Sequence, residues 1–269
     1  MKPRSILITG ASSGIGAALA AAYAAPGVSL HLGGRDRARL SLVVDRCRLL
    51  GAAATGTAVD VTDAAAMAGW INAADARAPL DLVIANAGVS TGGAAQCGLD
   101  GPAATRQVFR TNVDGVLNTV LPALERMRAR PLARRGGGRP RPGERGGIAI
   151  MASLAAFRGM PGAPAYSASK AAMRAWGEAL AIRLRPEGIA VTVICPGFVD
   201  TPMTARNAFR MPLLMTAERA AAAIRRRLAR GPSRIAFPLP LYLGAWLIGA
   251  LPPFLADRLL AWSPVKSES

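Results

Sequence analysis

Tyr166 and Lys170 stand four residues apart, so on a helix they share one face. A free tyrosine titrates near about 10, too high to move protons efficiently at neutral pH. A neighbouring ammonium favours the phenolate, and lowering the pKa by ~3 units takes about 4 kcal/mol of differential interaction. Lys170 is one of three lysines, with Lys2 and Lys266, in a chain of 33 basic residues. A compact point charge with three donors can sit under a phenol and bind ribose hydroxyls, where a planar guanidinium is bulkier. Ser153, just past an apolar run, adds a hydroxyl. The chemistry these side chains suit is proton transfer to or from an oxygen.

A second cluster lies upstream, Thr9-Gly10-Ala11-Ser12-Ser13-Gly14-Ile15-Gly16. Glycines between a strand and a helix let backbone approach a diphosphate, and the helix amino terminus offers free N–H groups. Gly10 to Gly14 also fits the G-x-S-x-G nucleophile elbow of hydrolases. That chemistry needs a histidine late in the chain, and the single histidine, His31, lies early, between Leu30 and Leu32. His31 reads as structural, and the hydrolase reading fails.

These residues need a scaffold. Apolar runs Ser5–Thr9, Val28–Leu32, Ala54–Val59, Leu80–Ala85, Gly147–Ala152, Ala190–Cys195 and Ser233–Phe237 alternate with helical patterns near 14–25, 36–50, 63–77, 102–128, 164–185 and 216–230. Such runs bounded by helices predict strands covered on both faces. The expected architecture is α/β, a doubly wound seven-stranded parallel sheet with helices on both faces. Residues 1–238 are expected to form one Rossmann-like domain that binds a dinucleotide and carries catalysis. Within it, 130–146 reads as a flexible Arg/Gly/Pro-rich insertion. Residues 239–269 read as an apolar extension without independent fold.

With these motifs in order, residues 4–237 resemble the short-chain dehydrogenase/reductase family, in its short single-domain branch. The glycine turn matches that family's T-G-x-x-x-G-I-G. The resemblance implies cofactor contacts from Gly10, Ser12, Ser13, Gly14, Ile15 and Gly16. It also implies Asp60 and Val61 at the adenine, Asn86-Ala87-Gly88 beside the adenosine, and Pro196, Gly197, Val199 and Thr201 at the nicotinamide. Asn112, Ser153, Tyr166 and Lys170 match its catalytic set. Ser153 would hold the substrate oxygen, Tyr166 would exchange the proton, and Lys170 would tune Tyr166 and anchor the ribose. Asn112 would hold a water in a proton relay. The implied reaction is a reversible hydride transfer between a carbonyl and a secondary alcohol, with no metal.

The second strand runs into Gly33-Gly34-Arg35-Asp36. A carboxylate there would take the ribose 2′-OH of NAD, and an arginine the 2′-phosphate of NADP. Gly34 stands where NAD users of the family carry Asp, Arg35 follows, and Asp36 reads as the cap of the next helix. NADP(H) is therefore expected over NAD(H).

Composition narrows the remainder. The chain has 269 residues, is 51% hydrophobic and 18% charged, and carries a net +17, which excludes a disordered chain. Cys47, Cys97 and Cys195 form no C-x-x-C pair, which argues against zinc or a disulfide framework and for a reducing compartment. No signal peptide is visible, so a cytoplasmic location is expected. Residues 126–145 hold eight arginines against Glu144, and 218–234 six against Glu218. No aromatics interleave with them, so they read as solvated charge rather than a nucleic-acid surface. The loop Phe198–Met215, with Met203, Phe209, Met211, Leu213 and Leu214, suits a flexible lipophilic substrate. The tail Leu239–Trp262 has three readings: a cover for the cleft, a contact within a homodimer or homotetramer, or peripheral attachment at the inner membrane face. Two other classes remain open, a non-catalytic NADP-binding sensor or assembly protein and an epimerase-type relative; the intact catalytic set and the glycine spacing weigh against them.

Overall fold

The computed structural model describes residues 2–90, 101–132, 141, 143–207 and 209–260. Its strands are β1 (Ser5–Thr9), β2 (Ser29–Gly34), β3 (Ala53–Ala58), β4 (Leu82–Ala85), β5 (Gly146–Met151), β6 (Ile189–Pro196), β7 (Val199–Asp200), β8 (Met215–Thr216) and β9 (Arg234–Phe237). Seven of them make one parallel sheet in the order β3-β2-β1-β4-β5-β6-β9, and β7 pairs only with β8. The order reverses between β1 and β4. At that point the loops leaving the two strands diverge and open a crevice beyond their carboxyl ends.

The helices are α1 (Gly14–Tyr23), α2 (Arg37–Leu49), α3 (Ala64–Arg77), α4 (Pro102–Phe109), α5 (Gly115–Arg128), α6 (Pro164–Leu184), α7 (Ala217–Leu228), α8 (Leu239–Ala250) and α9 (Pro253–Leu260). They cover both faces of the sheet. Ile6 and Ile8 of β1 point into one apolar layer with Leu19 of α1, Leu40 of α2 and Ile224 of α7. Leu7 between them points into the other, with Ile71 of α3, Val120 of α5 and Met173 of α6. Alternate residues of one strand thus serve opposite cores, which is why the strand sequences read as unbroken apolar runs. Asp36 caps α2, its carboxylate accepting from the Arg39 N–H at 2.9 Å.

Three features depart from the sequence expectations. The helix expected over 102–128 is interrupted by a π-helical turn at Arg110–Asp114, which contains Asn112. The small pair β7–β8 clips together the ends of the apolar loop that follows β6. And several arginines of the basic stretches are stitches rather than solvated charge. Arg126 and Arg130 both pair with Asp75, whose side chain is only 6% exposed and also accepts from the Leu80 N–H. Arg130 further donates to the carbonyls of Leu80 and Arg145, and Arg128 makes a two-pronged pair with Glu187. These contacts fix both ends of the 130–146 segment; its residues 133–140 and 142, like Cys97 and 261–269, lie outside the described residues.

Burial alone would raise the Asp75 pKa, but the Leu80 N–H and the two guanidinium groups hold it below the usual carboxylate value. Asp75→Ala removes an acceptor and leaves the mostly buried Arg130 unpaired. The expected loss is about 3 kcal/mol, the low end for breaking a buried pair, because half-exposed Arg126 can return to water. In a chain of this size that lowers the thermal midpoint by roughly 6–12 °C. A calorimetric shift within about 2 °C of wild type would show that Asp75 ties nothing together.

Candidate active site

The crevice at the switch point is a cleft of about 550 Å³, and its walls come from the carboxyl ends of β1, β2, β3, β4, β5 and β6. Its floor depends on close backbone approach. Gly10 has a φ of +64°, and a Cβ there would stand 2.8 Å from the Ala87 Cα. A Cβ on Gly16 would stand 2.2 Å from the Gly10 carbonyl oxygen, so no other residue fits without moving the turn. Thr9 and Asn86 lock this arrangement. The Thr9 Oγ1 accepts from the N–H groups of Asn86 and Ala87, and the Asn86 amide donates to the carbonyls of Thr9 and Gly10. Asn86 therefore holds the turn against β4, and its amide hydrogens are engaged there rather than offered to a nucleoside.

Around this floor stand Ser12, Ser13, Gly14, Ile15, Arg35, Asp60, Val61, Ala87, Gly88, Pro196, Gly197, Val199 and Thr201, all lining the cleft. Gly16 and Asn112 do not line it. Asp60 accepts from the N–H and hydroxyl of Thr62 through Oδ1, and its Oδ2 lies 3.9 Å from Arg35. Arg39 also lines the cleft and was not anticipated. Its signal was present, one turn of helix beyond Arg35, but its pairing with Asp36 is a sufficient local reason for it.

The reactive side chains gather where β5, α6 and the π-helical turn meet. Ser153 caps the short helical turn Leu154–Ala156, accepting from the Ala155 N–H at 3.1 Å. Its hydroxyl is hydrogen-bonded to Tyr166, in the first turn of α6. Lys170, one turn further, is 3% exposed and donates to the Met151 carbonyl at 2.8 Å. Its nitrogen is 5.8 Å from the Tyr166 ring centre. Asn112 is fully buried; its amide nitrogen donates to the Val89 carbonyl and Ser169 Oγ, and its oxygen accepts from the Val89 N–H. Ser169 in turn donates to the Tyr166 carbonyl at 2.7 Å. Thus Asn112 clamps the segment after β4 to α6. Both amide hydrogens and the side-chain oxygen are engaged with protein partners.

Burial pushes the Tyr166 phenol above its ordinary value, with the Ser153 hydrogen bond opposing. The Lys170 ammonium is turned to the Met151 carbonyl. Burial takes Lys170 itself down from 10.5 to about 8. Beneath them Cys195, at the end of β6, has its thiol pushed up to about 12 by burial, so it is an uncharged thiol at neutral pH.

Comparison with known proteins agrees with this geometry. Residues 4–210 match the family model described as short chain dehydrogenase. A protein of Myxococcus xanthus, described as an uncharacterized oxidoreductase, is 37% identical over 258 residues, or 96% of each chain. Two solved structures share the fold at 24% identity. The short-chain dehydrogenase from Sphingobium yanoikuyae in complex with NADPH has a TM-score of 0.74 and covers 98% of this chain and 97% of its own. The short chain dehydrogenase from Mycobacterium paratuberculosis bound to NAD has a TM-score of 0.73 and covers 89% and 98%.

The Lys170 ammonium is expected to titrate near 8 rather than 10.5. With only three lysines in the chain, side-chain NMR can follow it, and Lys170→Arg assigns the signal by deleting it. A midpoint at the ordinary value would mean that Lys170 is hydrated.

Proposed function

The chain belongs to the short-chain dehydrogenase family, and we propose that within it the protein is an NADP(H)-dependent oxidoreductase that interconverts a carbonyl and a secondary alcohol on a lipophilic molecule. The observation that carries this reading is the bonded pair Ser153–Tyr166 on the wall of a cleft floored by the glycine turn, with Lys170 buried one helical turn away. The residues fit a dinucleotide. The positions where a Cβ would collide, Gly10 and Gly16, are those where a diphosphate needs bare backbone. The turn Gly10–Gly16 would hold the diphosphate, the Oδ2 of Asp60 the adenine amino group, and Lys170 a ribose. Pro196, Gly197, Val199 and Thr201 would flank the nicotinamide.

When bound, the nicotinamide carries the hydride. The protein's part is proton and position. Ser153 donates to the substrate oxygen and fixes it beside the phenol. On reduction Tyr166 gives its proton to that oxygen as negative charge develops, and on oxidation it takes the proton back. A phenol kept neutral by burial is the form reduction requires. Lys170 is charged below about pH 8 and favours the phenolate left behind. kcat/KM for reduction should therefore be level below about 8 and fall above it as Lys170 loses its proton.

NADP is favoured by what stands at the end of β2. Gly34 offers no carboxylate, and a Cβ there would lie 3.2 Å from Ser12. Arg35 is mostly exposed, weakly engaged with Asp60, and faces the same space as Ser12 and Arg39. The lipophilic substrate is supported by the loop between β7 and β8, with exposed Met203, Leu213 and Leu214. A homodimer or homotetramer is part of the same reading, supported by exposed Phe109 at the end of α4 and Leu121 on α5.

Two variants test the proposal. Tyr166→Phe keeps cofactor affinity and loses at least ~100-fold in turnover, the low end for a positioned acid. Near-normal NADPH oxidation with lipophilic ketones in that variant would remove Tyr166 from the mechanism. Arg35→Ala is expected to weaken NADPH about tenfold to a hundredfold, as for one charged hydrogen bond, and to leave NADH unchanged. Equal effects on both nucleotides, measured by fluorescence titration, would refute the NADP preference.

A further inference from the structure

The tail α8–α9 carries an apolar surface that the fold itself does not use. Residues 239–256 contain no Asp, Glu, Lys, Arg or His. One side of α8 is occupied: Leu241, Tyr242 and Ala245 pack with Leu154 and Phe157, and Gly249 lies against the Phe157 carbonyl. That side is pinned. The Tyr242 hydroxyl accepts from Arg234, Tyr242 meets the Phe157 ring edge-on, and the guanidinium groups of Arg174 and Arg234 lie over the same ring. The other side presents Leu239, Leu243, Trp246 and Leu247, at helical spacings of four, three and one, all more than half exposed. On α9, Phe254, Leu255 and Leu259 continue the exposed apolar series. Because the packed side already meets the body beside the cleft, the exposed side faces away from it. None of the described tail residues lines the cleft.

We propose that this exposed face is a docking surface for an anionic lipid bilayer, on which α8 and α9 lie in the plane of the interface. Length excludes spanning: α8 has 12 residues, roughly 18 Å of helix against about 30 Å of hydrocarbon, and Pro252-Pro253 breaks the path before α9. No helix among the described residues is long and apolar enough to cross a membrane. Charge selects the partner. The described tail holds one acid, Asp257, and Arg158 pairs with it at 3.2 Å; Arg258 beside it has no carboxylate partner among the described residues. A second copy docked tail to tail would bring Arg258 against Arg258, with no unpaired carboxylate among the described tail residues to meet it. Headgroup phosphates supply the missing negative charge, and the acyl boundary takes Trp246 and the leucines. Gly197 links the packed side of the tail to the site, since a Cβ there would touch both Leu241 of the tail and Leu154 of the turn that Ser153 caps. Docking would thus hold the cleft close to the membrane surface; only the benefit to a lipophilic substrate rests on the proposed activity.

Truncation at Pro238 would strip Leu241 and Tyr242 from the packed body, so exposed positions make the test. The full chain is floated with vesicles of phosphatidylcholine alone and of phosphatidylcholine with roughly a quarter phosphatidylglycerol. The double variant Trp246→Glu with Leu247→Glu is run beside it, with thermal midpoint and NADPH binding as controls of fold. Wild type should float with the anionic vesicles at low salt and be released at high salt. The double variant should lose at least about a hundredfold in vesicle affinity, each deleted apolar contact contributing about tenfold. Three results overturn the proposal: no flotation of wild type, equal flotation with neutral vesicles, or undiminished flotation of the variant. A wild type that stays with the soluble fraction as an oligomer, and falls to smaller species in the variant, would assign the face to a second copy instead. Vesicle binding is read without turnover, so failure of the docking surface leaves the oxidoreductase reading standing, and the reverse.

Discussion

The constraint on which the site depends is the absence of room at Gly16. A side chain there would enter the space of the Gly10 carbonyl and the Asn86 amide, so β1, the turn and α1 close only around bare backbone. The Thr9 hydroxyl and the Asn86 amide then hold the end of β4 to that turn. From this one lock follow the start of α1, the direction of its free N–H groups and the place where β1 and β4 part company. The end of the cleft that holds Ser153, Tyr166 and Lys170 is built outward from the same strand. Gly88, two residues past Asn86, lies between Asn112 and Lys170, each within 3.2 Å of where its Cβ would be.

A different tension governs Lys170. Removing an ammonium from water is unfavourable, and the fall of its pKa to about 8 expresses that. One carbonyl, that of Met151, meets it. Nearby the Tyr166 phenol is neutral because burial disfavours its anion, and the Cys195 thiol likewise. The site is therefore preorganised with a single positive charge and two neutral acids. Negative charge that develops on a substrate oxygen is the event such a site stabilises, because a charge of opposite sign is already fixed and needs no reorganisation.

The framework was legible because strands buried on both faces are apolar on both, as Ile6–Ile8 and Val193–Cys195 are, while the buried hydroxyls of Ser5, Thr9 and Thr192 donate to backbone carbonyls. Pro252-Pro253 separates the two short tail helices. The π-helical turn was not legible. Arg110–Asp114 keeps the helical period of its flanks, and the extra residue per turn is accommodated where Asn112 reaches Val89 and Ser169, contacts made across 23 and 57 residues. The role of Thr9 was hidden for the same reason, its partners lying 77 and 78 residues away. Asn112 was identified by the motif it matched, yet its work as a clamp could be read only from its partners.

The use of arginine against lysine follows the same physics. Arg128 meets Glu187 with two nitrogens, and Arg130 reaches a carboxylate and two carbonyls at once, a task for a planar group with five donors. Phe157 is stacked by two guanidinium groups, with Arg174 also donating to the Ala156 carbonyl in the turn that Ser153 caps. Position 170 has different demands. The group there sits within 3.2 Å of the Gly88 Cβ position, under the phenol and against one carbonyl, where a guanidinium would leave donors unpaired in a buried space. An arginine there would also remain charged at every working pH, whereas an ammonium brought down to about 8 can respond to its surroundings. In a chain that otherwise chooses arginine, the buried lysine marks the place where a small and adjustable charge is required.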